Sequence, residues 1–177
     1  GAAGKPLVKV RTYPFCAASG ELGPKRREGD LQVPEGFYVI DLFNPRSQFH
    51  LSLRVSYPNA SDRKLADARR PGQNIFIHGG CASIGCIAIE DEPIEELYLM
   101  VQEARRKMGR NVPVHIFPRR LDTAGLTVLE QHPEATPSRL AFWRGLQPGY
   151  ILFEETRRPP RVKVDGKTGE YRVRAGR

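Results

Sequence analysis

Fifteen prolines and seventeen glycines cut this chain into short pieces. Proline fixes φ and removes a backbone donor, and glycine marks turns, so long regular elements are confined to the gaps between them. Most gaps read as strands, rich in Val, Ile, Phe and Tyr: residues 7–15, 37–43 and 49–57, then 74–78 and 87–89 around a tight loop, then 112–117. The breakers between them include Gly20 to Pro24, Pro34-Glu35-Gly36 and Asn44-Pro45. One long helix is expected, with Asp91 as its cap, Pro93 in its first turn and Gly109 at its end. Its apolar face is Ile94, Leu97, Tyr98, Val101, Ala104 and Met108. A short helix is expected over 138–146, capped by Thr136, and a hairpin around Asp165-Gly166-Lys167-Thr168-Gly169.

The expected fold class is α+β, mainly β, with sandwich- or barrel-like sheets around one main helix. A length of 177 residues suits one domain with a real core. That domain is read as 1–177, with its core at about 7–155 and a basic hairpin-like tail at 156–177. No run approaches the roughly 18 apolar residues of a membrane span. The first residues, Gly1 to Lys5, contain no signal-peptide run, so export requires a leader absent from this chain.

The formal charge is +8, concentrated after Arg157. That surplus attracts polyanions, yet no RNA-recognition, zinc-finger or aromatic-interleaved basic signature is present, so a nucleic-acid partner is not expected. Three cysteines, Cys16, Cys81 and Cys86, leave at least one thiol outside any intramolecular pair.

The chemistry concentrates between Ile75 and Ile89. An apolar strand ends in His78, small residues follow, and Cys86 opens the next strand. If the loop folds back, imidazole and thiol meet. A thiolate attacks best with a base beside it, and the same base later returns a proton to a leaving amine. Gly79, Gly80 and Gly85 let backbone approach a substrate, and N–H groups near Gly85 and Cys86 are candidate oxyanion donors. No acid lies within the loop, which leaves a carbonyl near Gly79 or the Ser83 hydroxyl to orient the base. The residues alone leave three readings open: a Cys–His pair, a buried Cys with a hydrogen-bonded core His, or a soft metal site of His78, Cys81 and Cys86. The last matches no recognisable zinc spacing.

His78-Gly79 followed by Ser83-Ile84-Gly85-Cys86 resembles the motif of the YkuD-type L,D-transpeptidase family. The gap between the halves is shorter than in most of that family, and Ala88 stands where the common form has Arg. Both departures are similar to a YafK-like, murein peptide amidase-like branch. Other stretches resemble that branch in order, among them Val10 to Cys16, Gly23-Pro24-Lys25, Pro34 to Tyr38, Phe49 to Ser52, Tyr57 to Ala60 and Val112 to Pro118. The resemblance spans about residues 7–165.

The resemblance implies a periplasmic enzyme acting on peptidoglycan stem peptides that contain meso-diaminopimelate. It implies Cys86 as nucleophile, His78 as general acid/base, and Ser83, Gly85 and Gly79 as the motif loop. It implies no cofactor and no metal. In the amidase-like branch water resolves the acyl-enzyme, releasing outer-membrane lipoprotein from the wall. The alternatives are an L,D-transpeptidase that forms 3–3 cross-links or attaches lipoprotein, and a non-enzymatic basic wall-binding module. Arg11, Lys25, His50, Asn59 and Arg63 are candidates for binding substrate carboxylates. His115 is expected to be structural. A Cys16–Cys81 disulfide would leave Cys86 free, whereas a Cys81–Cys86 bridge would block it. The polar stretch from Gly20 to Asp30 is long enough to form a lid.

Overall fold

The computed structural model describes residues 5–176 as an α+β fold. Its main sheet has five strands in the order β4-β3-β2-β1-β5. These are β1 (Gly36–Ser47), β2 (His50–Val55), β3 (Phe76–His78), β4 (Ile87–Ala88) and β5 (Val112–Ile116). Every neighbouring pair is antiparallel except β3 and β4, which run parallel with Ile77 opposite Ile87 and His78 opposite Ala88.

Strand alternation builds two cores, because successive side chains leave a strand on opposite faces. Tyr38, Ile40, Leu53, Val55, Ile87 and Ile89 pack with Ile94 and Val101 of α2 (Asp91–Met108). Phe37 joins the second core, with Leu121, Leu129, Trp143, Leu146 and Tyr150. Those residues belong to, or adjoin, α3 (Thr123–Glu130) and α4 (Pro137–Thr156). Fully burying each such large apolar side chain contributes about 1.5–3 kcal/mol.

Several expectations are corrected. Residues 7–15 form no strand: among their backbone groups, Leu7 N–H donates to Arg157 C=O at 2.8 Å, and Val8 and Val10 lie exposed. The segment is tied instead to α2, where Arg11 and Tyr13 both reach Glu96, and a helix offers no backbone ladder to extend. The α4 helix does not stop near 146. It continues through Pro148 and Gly149 to Thr156. An interior proline costs about 3 kcal/mol, but this stretch packs Tyr150 into the second core and lays Gly149 directly on the Phe37 ring. A Cβ on Gly149 would lie 2.3 Å from Phe37 Cζ.

Two helices had not been expected. Asp122 caps α3 through Gly125 N–H, and Asn59 caps the short α1 (Ala60–Leu65) in a capping box with Asp62. Glu90, not Asp91, is the N-cap of α2, and its side chain makes no capping bond; Gly109 ends that helix as expected.

The tail forms the expected hairpin, β6 (Arg161–Val164) with β7 (Tyr171–Arg174). It is fastened to the rest of the fold: Ser61 Oγ donates to Gly169 C=O at 2.6 Å, Asn59 Nδ2 donates to Tyr171 Oη at 2.9 Å, and the Tyr171 ring meets Phe37 edge-on. Among the described residues no helix is long and apolar enough to cross a membrane.

Candidate active site

Period-two alternation at the sheet's end also sorts the site residues. Ile77 and Ile87 face the α2 core, while Phe76, His78 and Cys86 line a cleft of about 510 Å³ on the other face. The cleft is also lined by Lys25, Arg46, Phe49, Ser52, Asn74 and Ile84. The parallel β3–β4 pairing is what folds the small-residue loop back, so that base and thiol share one cavity.

His78 is 2% exposed, and its ring stacks on Phe49 at 4.6 Å between centroids. Its Nδ1 lies 2.5 Å from Gly79 C=O. A carbonyl only accepts, so Nδ1 carries the proton and Nε2 keeps the lone pair. That is the tautomer a general base needs. The orienting group is thus the Gly79 carbonyl, and Ser83 has a different task. Its hydroxyl donates to Cys86 C=O at 2.7 Å and accepts from Gly85 N–H at 3.2 Å, which closes the loop just before Cys86. Gly85 N–H is therefore already engaged, which removes one of the two expected oxyanion donors.

The Cys86 thiol donates weakly to Asn74 C=O at 3.8 Å. Burial pushes this thiol up from its ordinary value; the Phe76 N–H and the Lys25 charge act the other way without overcoming it. Burial thus favours the thiol form of Cys86 over the thiolate.

Gly79 is required by close approach. A Cβ there would lie 2.5 Å from Asp91 Oδ1 and 2.9 Å from Phe49 C=O. Asp91 is turned from the expected capping role toward this turn, where its Oδ1 accepts from Gly80 N–H at 2.7 Å. Sequence reasoning gave Asp91 only a helical role, because the contact forms between segments eleven residues apart.

Of the five candidate carboxylate-binding residues, only Lys25 lines the cleft. It is 4% exposed and pairs with Asp30. Burial disfavours the Asp30 charge, yet Lys25 and the N–H groups of Arg27, Arg26 and Gln32 hold its carboxyl below the usual range. Lys25 and Glu28 form part of the cleft wall, and their segment is anchored further by Gly23 N–H donating to Glu35 at 2.8 Å. Arg11 lies outside the cleft in an ion pair with Glu96. His50 pairs with Glu95 at 2.6 Å. Asn59 is committed to the α1 cap and to bonds with Phe37 C=O and Tyr171. Arg63 sits in the last turn of α1. For these four, local partners or position explain the polar side chain.

Sequence reasoning missed Arg46, Asn74 and Ile84 as cleft residues. Ile84 is 80% exposed between two motif residues, and that apolar residue in a polar loop was the available signal. His115 lies among Phe37, Phe117 and Phe153, and burial lowers its pKa to about 4.

The three cysteines are free thiols. Cys16 donates to Gly80 C=O at 3.3 Å, and the Cys16 side chain nearby raises the Cys81 thiol to about 11. The expected Cys16–Cys81 bridge is not formed here, but these two thiols are the neighbouring pair. Among the described residues no cluster of three His, Cys, Asp or Glu side chains is arranged to hold a metal ion.

Residues 4–116 match the model of the YkuD L,D-transpeptidase catalytic domain, well over half of the chain. The chain belongs to this L,D-transpeptidase family. It is 37% identical over 163 residues to the Escherichia coli K12 protein named Putative L,D-transpeptidase YafK, and the same holds for its O157:H7 counterpart. The aligned region covers 91% of this chain and 63% of that relative. The chain is also similar to the solved helical cell shape determining protein Pgp2 of Campylobacter jejuni. That match has a TM-score of 0.45 and 20% identity, covering 84% of this chain and 62% of the other.

Proposed function

We propose that this domain is a cysteine peptidoglycan hydrolase of the L,D-transpeptidase family. Its substrate is a meso-diaminopimelate-containing stem peptide, and its acceptor is water. The observation that carries the reading is the shared cleft of Cys86 and His78, with the imidazole locked as its Nδ1–H tautomer by Gly79.

In this reading His78 Nε2 takes the thiol proton as Cys86 Sγ attacks the peptide carbonyl. The tetrahedral intermediate collapses to a thioester, and the His78 imidazolium delivers its proton to the departing amine. Water then adds to the thioester with His78 as base, giving the carboxylic acid and restoring the thiol. The Cys86 N–H is the remaining candidate donor for the oxyanion. Where the amine is the terminal lysine of an outer-membrane lipoprotein, the reaction releases it from the wall in the periplasm.

Water is favoured over an amine acceptor by Ala88, the second residue after Cys86. Ala88 is fully buried, and its carbonyl accepts from Cys16 N–H at 2.9 Å. The N-terminal segment therefore lies against the place where the common family form carries a substrate-holding Arg. Digestion of lipoprotein-bearing peptidoglycan, read by product mass, tests this. Wild type is expected to release lipoprotein bearing a free terminal lysine, and Cys86→Ala and His78→Ala to fall by at least about 10³-fold. Cross-linked products accumulating without hydrolysis would assign the domain to transpeptidation instead.

A further inference from the structure

His78 Nδ1 lies 2.5 Å from Gly79 C=O, and Gly80 N–H donates to Asp91 Oδ1 at 2.7 Å. These are the two ends of one peptide unit, planar and delocalised between its oxygen and its nitrogen. We propose that Asp91 is a positioning residue for His78, acting through the Gly79–Gly80 peptide: its carboxylate fixes and polarises that peptide, and the peptide holds the imidazole. This rests on the proposed role of His78 as general base.

The physical case has three parts. First, a carboxylate accepting from an amide N–H draws electron density toward the carbonyl at the other end. Chains of hydrogen bonds strengthen one another, by perhaps 10–30% per bond. Second, the negative charge lies one peptide from the ring and favours the imidazolium that forms when Nε2 takes the Cys86 proton. Third, the geometry has little slack. Gly79 packs so tightly on Asp91 that a Cβ there would force a shift, and Glu90, not Asp91, occupies the N-cap position. A buried imidazole whose Nδ1 bonds a neutral carbonyl thereby gains a carboxylate that the loop itself lacks.

Other charged groups surround the ring. Lys25, Glu28 and Arg46 line the cleft with it, and Cys86 lies across from β3. The His50–Glu95 pair, from β2 and α2, lies beside Gly79. Asp91 differs from all of these in being bonded to the same peptide that His78 contacts.

The decisive measurement is titration of the His78 ring nitrogens by NMR, combined with peptidoglycan-digestion kinetics. Asp91→Ala is expected to move the His78 ring-nitrogen titration to lower pH, because the imidazolium loses a nearby negative charge. It should lower kcat about tenfold or more with KM little changed. Asp91→Asn, which keeps an acceptor for Gly80 N–H but not the charge, is expected to fall between Asp91→Ala and wild type on both readouts. Thermal melting of each variant checks that the fold is kept. If Asp91→Ala proves unfolded, Asp91→Asn alone decides, by a lowered or an unmoved His78 pKa. An unmoved His78 pKa overturns the proposal, even if kcat falls. Activity that survives Cys86→Ala would instead overturn the proposed function, while the His78 titration would still report on Asp91.

Discussion

Glu35 allows a quantitative test of how the sheet is joined to α4. Its carboxyl is 4% exposed, accepting from Trp143 Nε1 at 2.7 Å and from Gly23 N–H at 2.8 Å. Burial dominates these bonds and raises its pKa from 4.5 to about 7. A carboxyl whose folded pKa is raised binds its proton more tightly in the folded state. Its stabilising contribution is therefore fully present below pH 4.5, and it is lost as pH rises toward and through 7. At about 1.4 kcal/mol per pH unit, the loss across that window is about 3 kcal/mol. For a chain of this size each kcal/mol moves Tm by about 2–4 °C, so the group accounts for about 6–12 °C. Glu35→Gln holds the site neutral at every pH. Melting curves from pH 4 to 8 should show the variant gaining on wild type progressively above pH 5, from a constant deficit set by the one acceptor oxygen that the amide nitrogen replaces. Asp62, which burial raises to about 6, has the same sign but titrates in both proteins and cancels in the difference. Parallel melting curves for wild type and Glu35→Gln across the whole range would refute the reasoning.

Two further predictions concern the loop. Gly79→Ala places a Cβ 2.5 Å from Asp91 Oδ1 and forces the His78-holding peptide to shift. Hydrolysis should fall about 10²-fold or more while the protein remains folded by circular dichroism, and near-normal activity would show that the peptide's position is unimportant. The Cys16 side chain is near enough to Cys81 to perturb its ionisation. Treatment with oxidised glutathione, a low-molecular-weight disulfide, should therefore link Cys16 to Cys81, releasing two equivalents of reduced glutathione, and leave Cys86 open to alkylation. A Cys81–Cys86 linked peptide on mass mapping would contradict that geometry.

What the sequence makes legible follows how local each determinant is. The hairpin and α2 are readable because turn chemistry and a 3.6-residue apolar face act within a single segment. Residues 7–15 have the composition of a strand, but pairing needs a neighbour, and the neighbour here is α2 through Glu96. Pro148 reads as a stop until Phe37, over a hundred residues earlier, is found seated on Gly149. Asn59 looks like a polar contact for a ligand, although its spacing to Asp62 is that of a capping box and was available in the sequence. At the site, His78 and Cys86 stand out by motif and Lys25 by its stretch. Arg46 and Asn74 reach the cleft only through the folding of distant strands, which leaves no local mark.

The spacing of His78 and Cys86 has a geometric reason that only the sheet reveals. Parallel neighbours usually need a crossover of about a dozen residues or more, yet residues 79–86 connect β3 to β4 in eight. That is feasible because the strands contain only three and two residues, so the chain needs to travel back only a short way before pairing again. The return leaves no room for bulk at Gly79, and Ser83 fastens its far end to Gly85 and Cys86. With Ile77 opposite Ile87, Cys86 sits just before β4 and lines the same cleft as Phe76 and His78. A one-residue change in register would send either the thiol or the imidazole into the α2 core, because side chains alternate with period two. The short gap between the two halves of the motif is therefore a length that lets a parallel pair close while His78 and Cys86 face one cleft.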